Sequence, residues 1–180
     1  LLACSPKGKC LGDAIPYSES CNIEKKLING IAGQNKALNS SYSSLSKALK
    51  LLDIHGPNIL LRHQSDWISG WFLKNWEYGE EGNNVKLGWD LSSSNWPEKF
   101  KSFYWNKSLP HIKKCGEILG KINISLAKKL NLNQNLLIVA GTTDSNASYI
   151  AAEIKEKDGL TVLGTTIVLK KRTSEPIKET

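Results

Sequence analysis

The chain has 180 residues, 40% of them hydrophobic, and a formal net charge of +7. The apolar content is enough to build a core, which argues against a disordered protein. The lysines lie singly or in pairs, without a long basic run or interleaved aromatic residues, so we predict no nucleic-acid groove. An anionic ligand such as a nucleotide fits the charge better, although a solvated lysine-rich surface is the simplest explanation.

Cysteine spacing indicates the compartment. The four cysteines are Cys4, Cys10, Cys21 and Cys115. They form no Cys-x-x-Cys pair, and only three histidines are present, so we predict no zinc site. No apolar run is long enough to span a membrane. We expect free thiols in the cytoplasm; a secreted, disulfide-bonded domain is the alternative, because the chain contains four Asn-x-Ser sequons.

The first third of the chain predicts a hairpin followed by two helices. Residues 1–4 and 10–15 read as two strands around a Pro/Gly turn. Residues 21–33 have apolar positions on one helical face and end at Gly33. Residues 44–52 predict a second amphipathic helix.

A short strand in 58–62 precedes a third predicted helix. Ser65 and Asp66 are suited to cap its amino end. The side chains that this helix is expected to bury are Trp67, Ile68, Trp71 and Phe72.

The middle of the chain, residues 75–100, has neither helical nor strand periodicity, so we predict an ordered loop or several short turns. Its tryptophans could form a stacking platform for bases or sugar rings. Packing of large aromatic side chains that anchor a loop onto the core is the alternative.

The last third predicts alternating strands and helices. A strand is followed by a helix, 125–130, that ends at Asn131. Residues 136–140 form an apolar run typical of a strand covered on both faces, and 144–153 predict a helix. Residues 160–163 and 167–171 predict two strands around a Gly-Thr-Thr turn.

The turn Gly141-Thr142-Thr143-Asp144 joins a predicted strand to a helix. Gly141 allows a ligand to approach the backbone closely, or a positive φ. Asp144 then lies at the carboxyl end of a strand, where ligands bind in sheet proteins of this kind, and is placed to act as a general base. Capping of the helix by Asp144 is the simpler alternative.

The second turn, Gly164-Thr165-Thr166, lies between two strands. Amides of a tight glycine turn and threonine hydroxyls are suitable donors to a phosphate, whereas an ordinary hairpin turn needs no ligand. Together the two turns suggest a hydroxyl-bearing substrate beside a nucleotide phosphate.

Several motifs resemble the FGGY family of carbohydrate kinases. They are RHQSDWISGWF, GEEGNNVKLGWD, WPEKF, GEILGKI, VAGTTDSNASYIAA and TVLGTTIVLK, in the family's order and over nearly the whole chain. The branch that looks most similar is the cyanobacterial and plant one thought to act on pentuloses such as D-ribulose, similar to xylulokinase.

The resemblance implies an α/β, actin-like ATPase (ribonuclease H-like) fold, in which sugar binds the first domain and ATP mostly the second. It assigns Asp144 as the base, Ser44, Asp144 and Ser145 to the sugar, and Gly164, Thr165 and Thr166 to the nucleotide phosphate. Residues 1–156 correspond to the later part of the first domain and 157–180 to the first hairpin of the second. ATP and Mg²⁺ are the implied cofactors, and the resemblance leaves the oligomeric state open.

Other motifs of the family are not in the sequence. The Asp-x-Gly-Thr strand that helps hold Mg²⁺ and phosphate, and the adenine-binding segments, have no counterpart within the 180 residues, which also contain no Met. We therefore expect a part of a longer protein that is inactive alone. A non-catalytic remnant that binds sugar or nucleotide is the alternative.

Overall fold

The computed structural model describes residues 1–23, 25–33, 35–155, 157–164 and 167–174. The chain divides into two compact units, Leu1–Gly141 and Thr142–Thr180. Both units combine helices with strands, so the predicted α/β class is confirmed. The predicted domain boundary after residue 156 stays a prediction.

In the first unit, short strands and helices follow one another along the chain. The strands are β1 (Leu2–Cys4), β2 (Leu60–Arg62), β3 (Tyr78–Glu80), β4 (His111–Lys113), β5 (Ile118–Lys121) and β6 (Leu137–Val139). The helices are α1 (Lys25–Ala32), α2 (Ser44–His55), α3 (Gln64–Leu73), α4 (Glu81–Asn84), α5 (Glu98–Lys101) and α6 (Ile124–Lys129), with 3₁₀ turns at Val85–Leu87 and Asn106–Ser108.

The strands of this unit pair two by two. β1 pairs with β2 and β5 with β6, both antiparallel, whereas β3 and β4 are parallel. Of the predicted hairpin, one isolated antiparallel bridge between Cys4 and Cys10 forms, but residues 10–15 are not a strand, and the ladder partner of β1 is β2. That segment still follows β1, since the amide of Leu11 donates to the carbonyl of Ala3 at 3.0 Å.

Helices α1 and α2 form close to where the sequence predicts them. α1 ends at Gly33, which adopts a left-handed conformation with φ 58°. α2 begins after Ser43, whose hydroxyl accepts a hydrogen bond from the amide of Ser46, and extends one turn further than predicted, to His55.

Helix α3 forms, but Ser65 and Asp66 do not cap it. The N-cap position is His63, without a side-chain cap bond, and Asp66 lies buried inside the first turn. Ile68 is 49% exposed instead of buried. The contact face of α3 carries Gly70, where an added Cβ would lie 2.4 Å from the Trp76 ring. Trp67 and Trp71 are half-buried against the cluster that contains Trp76, and Phe72 is half-buried as well.

The core of the first unit lies around α2 and the aromatic residues of the middle segment. Its most buried members include Leu45, Ala48, Leu61, Leu87, Phe100 and Trp105. Trp96 stacks on Phe100 with ring centroids 5.8 Å apart, and Trp76 is buried in a smaller cluster. The packing interpretation of the tryptophans is confirmed for Trp76 and Trp105.

Strand β6 is less covered than its apolar sequence predicts. Leu137 is 49% and Val139 47% exposed, while Ala140, directly after the strand, is buried. The amide of Ala140 donates to the carbonyl of Glu117, and its carbonyl accepts from the amide of Gly116, both at 2.8 Å. The end of β6 is thus held by the segment that leads into β5.

The second unit contains α7 (Asp144–Ala151), β7 (Gly159–Leu163) and β8 (Ile167–Lys171). The two strands form the predicted antiparallel hairpin, closed by the pair Leu163 and Ile167. Helix α7 is shorter than the predicted 144–153.

Candidate functional site

The turn after β6 begins as the sequence predicts, but Gly141 has no special conformation. Its φ is not among the positive values, and an added Cβ would meet no atom within 4 Å. The alternative of a positive φ at Gly141 is therefore wrong. The open space beside the residue is compatible with close approach of a ligand.

Thr143 caps helix α7. Its backbone is extended, with φ −69° and ψ 150°, and its Oγ1 accepts a 3.2 Å hydrogen bond from the amide of Asn146. Thr143 therefore performs the function that the simpler interpretation gave to Asp144.

Asp144 is the first residue of α7, and its side chain is exposed. One carboxylate oxygen, Oδ1, accepts a 2.7 Å hydrogen bond from the amide of Ser145, which is also exposed. The hydroxyl of Ser148 donates to the backbone carbonyl of Asp144 at 2.9 Å and not to its carboxylate. A carboxylate placed in this way can accept a proton from a bound hydroxyl group.

The second turn belongs to the same unit as Asp144. Gly164 is exposed at the tip of the hairpin, next to the closing pair Leu163 and Ile167. The predicted phosphate-binding residues Thr165 and Thr166 lie outside the described residues, so their assignment remains a prediction.

Ser44 lies in the other unit, at the amino end of α2, and is half-buried. Its hydroxyl is 3.0 Å from Nε2 of His63, while Nδ1 of His63 is 3.6 Å from Oδ2 of Asp66. Ser44 is thus hydrogen-bonded to an imidazole whose other nitrogen is close to a buried carboxylate but has no hydrogen-bond partner.

That carboxylate belongs to a polar network that sequence reasoning missed. Oδ1 of Asp66 accepts from the amide of Glu80 at 3.0 Å, and Oδ2 accepts from Nδ2 of Asn84 at 3.2 Å. Glu80 in turn caps α4 by accepting from the amides of Gly82 and Asn83. The three-residue separation of His63 and Asp66 within HQSD is the sequence signal that could have indicated the pair.

A cleft of about 120 Å³ adjoins this network. Its lining includes Ser65, Asp66 and Glu80, and the end of the β6 segment at Ala140 and Gly141. The cleft therefore lies at the carboxyl end of β6, immediately before the turn that leads to Asp144.

Charge burial is most pronounced at Arg62 in this unit. Its guanidinium donates to the carbonyls of Trp76, Leu61 and Ser108, and burial lowers its pKa to about 10. Burial also lowers the pKa of Lys47, whose ammonium donates to the carbonyl of Tyr42. Both cations donate hydrogen bonds to backbone carbonyls around the core, so their role is structural.

The described part of the chain contains no group of three or more His, Cys, Asp or Glu side chains arranged to hold a metal ion. Among the same residues, no helix has the length and apolarity needed to cross a membrane.

Comparison with known proteins gives a consistent fold. No family model matches the chain. A carbohydrate kinase from Novosphingobium aromaticivorans superposes with a TM-score of 0.75 and 18% identity, over 98% of this chain and 42% of that one. A ligand-bound xylulose kinase from Lactobacillus acidophilus matches at 0.74 and 15%, over 94% of this chain and 37% of that one.

A third match is glycerol kinase from Plasmodium falciparum, solved with ADP. Its TM-score is 0.69 at 18% identity, over 93% of this chain and 37% of that one. The chain thus spans about two fifths of the length of these three kinases. Its structure is part of the actin-like ATPase fold of sugar kinases, as the sequence motifs predicted.

Proposed function

We propose that the chain is part of an FGGY-type sugar kinase that transfers the γ-phosphoryl group of ATP to a hydroxyl of a pentulose, D-ribulose or D-xylulose. The fold shared with a xylulose kinase and a glycerol kinase supports the reaction class. The motifs HQSDW and NNVKLGWD favour the pentulose branch. Residues 1–156 are then the later part of the sugar-binding domain and 157–180 the start of the nucleotide-binding domain, in a cytoplasmic enzyme.

In this mechanism Asp144 is the general base. Its carboxylate takes the proton from the attacking sugar hydroxyl as the new O–P bond forms and the bond to ADP breaks. Because phosphoryl transfer depends on positioning and charge stabilisation, a correctly placed base contributes roughly 10²–10⁴-fold to the rate. Ser145 and Ser44 are assigned to sugar binding, and the amide of Gly164 with Thr165 and Thr166 to the phosphate.

The observation that carries the proposal is that two residues of one turn differ in function: Thr143 caps helix α7, and Asp144 is the proposed base. Thr143 caps α7, so the exposed carboxylate of Asp144 is not required for helix formation. A carboxylate with that freedom, at the end of a strand and before a helix, is well placed for chemistry.

The described residues do not by themselves form a Mg²⁺ site, because Asp144 has no group of further carboxylates around it. No step of the proposed mechanism is therefore assigned to the metal. Gly164, exposed at a hairpin tip, is compatible with contact to a phosphate of ATP.

The test is ADP release by the full-length protein with ATP and a panel of pentuloses, compared with its Asp144→Asn variant. We expect phosphorylation of D-ribulose or D-xylulose, and a loss in kcat of about 100-fold or more in the variant, with an unchanged circular dichroism spectrum. The matched control is Asp53→Asn, which changes an exposed carboxylate on α2.

Two results would contradict the proposal. A variant at Asp144 that retains the wild-type kcat removes this residue from the mechanism. A wild-type protein that binds a pentulose or ATP in calorimetry but turns over no sugar of the panel is a non-catalytic binding protein.

A further inference from the structure

A side-chain hydrogen bond joins helix α7 to strand β8. The ammonium of Lys170, on β8, donates to Oδ1 of Asn146 at 2.9 Å. Asn146 lies in the first turn of α7, two residues after Asp144, and β8 starts directly after the Gly164 turn. The bond therefore links the two segments that carry the proposed base and the proposed phosphate contacts.

Asn146 is held from two sides. Its backbone amide donates to Oγ1 of Thr143, which closes the helix cap, and its side chain accepts from Lys170. Because Asp144 lies between Thr143 and Asn146, the direction of its carboxylate depends on the position of this turn. The position of the turn is in turn fixed against β8 by Lys170.

Helix stability does not explain a cation at this position. The amino end of a helix carries partial positive charge, so a lysine is favoured at the other end. A half-exposed polar contact of this kind also contributes little to folding.

Lys170 and its neighbour Lys171 lie on opposite faces of strand β8. Along β8, exposed and half-buried residues alternate; Val168 and Lys170 are half-buried, whereas Lys171 is exposed. Lys171 therefore offers the same charge one residue away on the opposite face of the strand.

We propose that Lys170 is a positioning residue for phosphoryl transfer, which holds the first turn of α7, and with it Asp144, against strand β8 through Asn146. The inference rests on the proposed kinase function. It assigns to the Lys170–Asn146 pair a role in the chemical step rather than in sugar affinity.

The experiment compares kcat and KM of the full-length protein for its pentulose in six forms: wild type, Lys170→Met, Lys170→Arg, Asn146→Ala, the double variant of Lys170→Met with Asn146→Ala, and Lys171→Met. We expect Lys170→Met and Asn146→Ala each to lower kcat about 10-fold to 100-fold, with little change in KM for the sugar. The double variant should be no slower than the slower single variant, because the two residues act through one contact. Lys170→Arg should restore most of the rate, and Lys171→Met should keep it.

Circular dichroism melting of each variant separates a loss of fold from a loss of rate. An Asn146→Ala variant with wild-type kcat overturns the inference whether or not Lys170→Met folds. Equal rates for Lys170→Met and Lys171→Met, together with an inactive Asp144→Asn, overturn the inference and leave the kinase proposal standing. Full activity of Asp144→Asn removes the kinase mechanism on which the inference rests.

Discussion

Asp66 Oδ2 accepts a 3.2 Å hydrogen bond from Nδ2 of Asn84, which links helix α3 to helix α4 beneath the candidate cleft. Both residues are buried, at 6% and 0% exposure. The other oxygen of Asp66 accepts from the amide of Glu80, so one carboxylate satisfies two donors from a segment 14 to 18 residues away.

We predict that Asp66→Ala destabilises the protein by about 2–4 kcal/mol, because two buried donors lose their acceptor at once. Urea denaturation followed by tryptophan fluorescence measures the change. Asp53→Ala, which alters an exposed carboxylate on α2, should change the free energy of unfolding by less than about 0.5 kcal/mol. Equal stability of the two variants would mean that the network around Asp66 does not support the fold.

We predict that Gly88→Ala costs about 2–4 kcal/mol of stability. Gly88 has φ 126°, and an added Cβ would lie 2.4 Å from Cζ of Phe100, which is at the centre of the aromatic cluster. Gly30→Ala, inside α1 and with no atom within 4 Å of the new Cβ, should instead be neutral or stabilising by up to about 1 kcal/mol. The pair is compared by thermal and urea unfolding, and a mild effect at Gly88 would contradict the close packing of Phe100.

Thiol labelling should distinguish two classes of cysteine. Cys10 and Cys115 are exposed, whereas Cys4 and Cys21 are buried. We predict that Ellman's reagent reacts rapidly with two thiols of the native protein at pH 8 and with four in guanidinium chloride. A Cys10→Ser, Cys115→Ser variant should show no rapid reaction while native.

The buried thiol of Cys4 should also make the stability of the protein depend on pH in the alkaline range. Burial raises the pKa of the Cys4 thiol to about 11, from an ordinary value of 9.0. Because the folded state favours the neutral thiol, this contribution to stability is complete below pH 9 and is lost as the pH rises towards 11. Urea denaturation at pH 8, 9.5 and 11 should show a decline that is smaller in Cys4→Ala; an identical decline would exclude Cys4 as its source.

Local signals in the sequence predicted the elements that carry the candidate site. Gly33 ends α1, α2 begins at Ser44, and the two apolar runs around Gly164 pair as a hairpin. Each of these features depends on residues within one turn or one strand. The position of Asp144 at the start of α7 was predicted for the same reason.

The features that the sequence did not predict depend on contacts between residues that are far apart in the chain. Asp66 looks like a helix cap, but it binds the amide of Glu80, and no local pattern encodes that partner. Residues 10–15 look like a strand, but β1 pairs with β2, nearly sixty residues further along. The apolar run before Gly141 predicted burial on both faces, whereas Leu137 and Val139 are about half exposed in the described structure.

The cap that Thr143 forms on α7 has a consequence for substitution of its neighbour. Since the hydroxyl of that threonine accepts from the amide of Asn146, exchange of the neighbouring Asp144 would leave this cap in place. In the kinase that we propose, one substitution at this position would therefore remove the reaction and leave a folded protein that still binds its sugar.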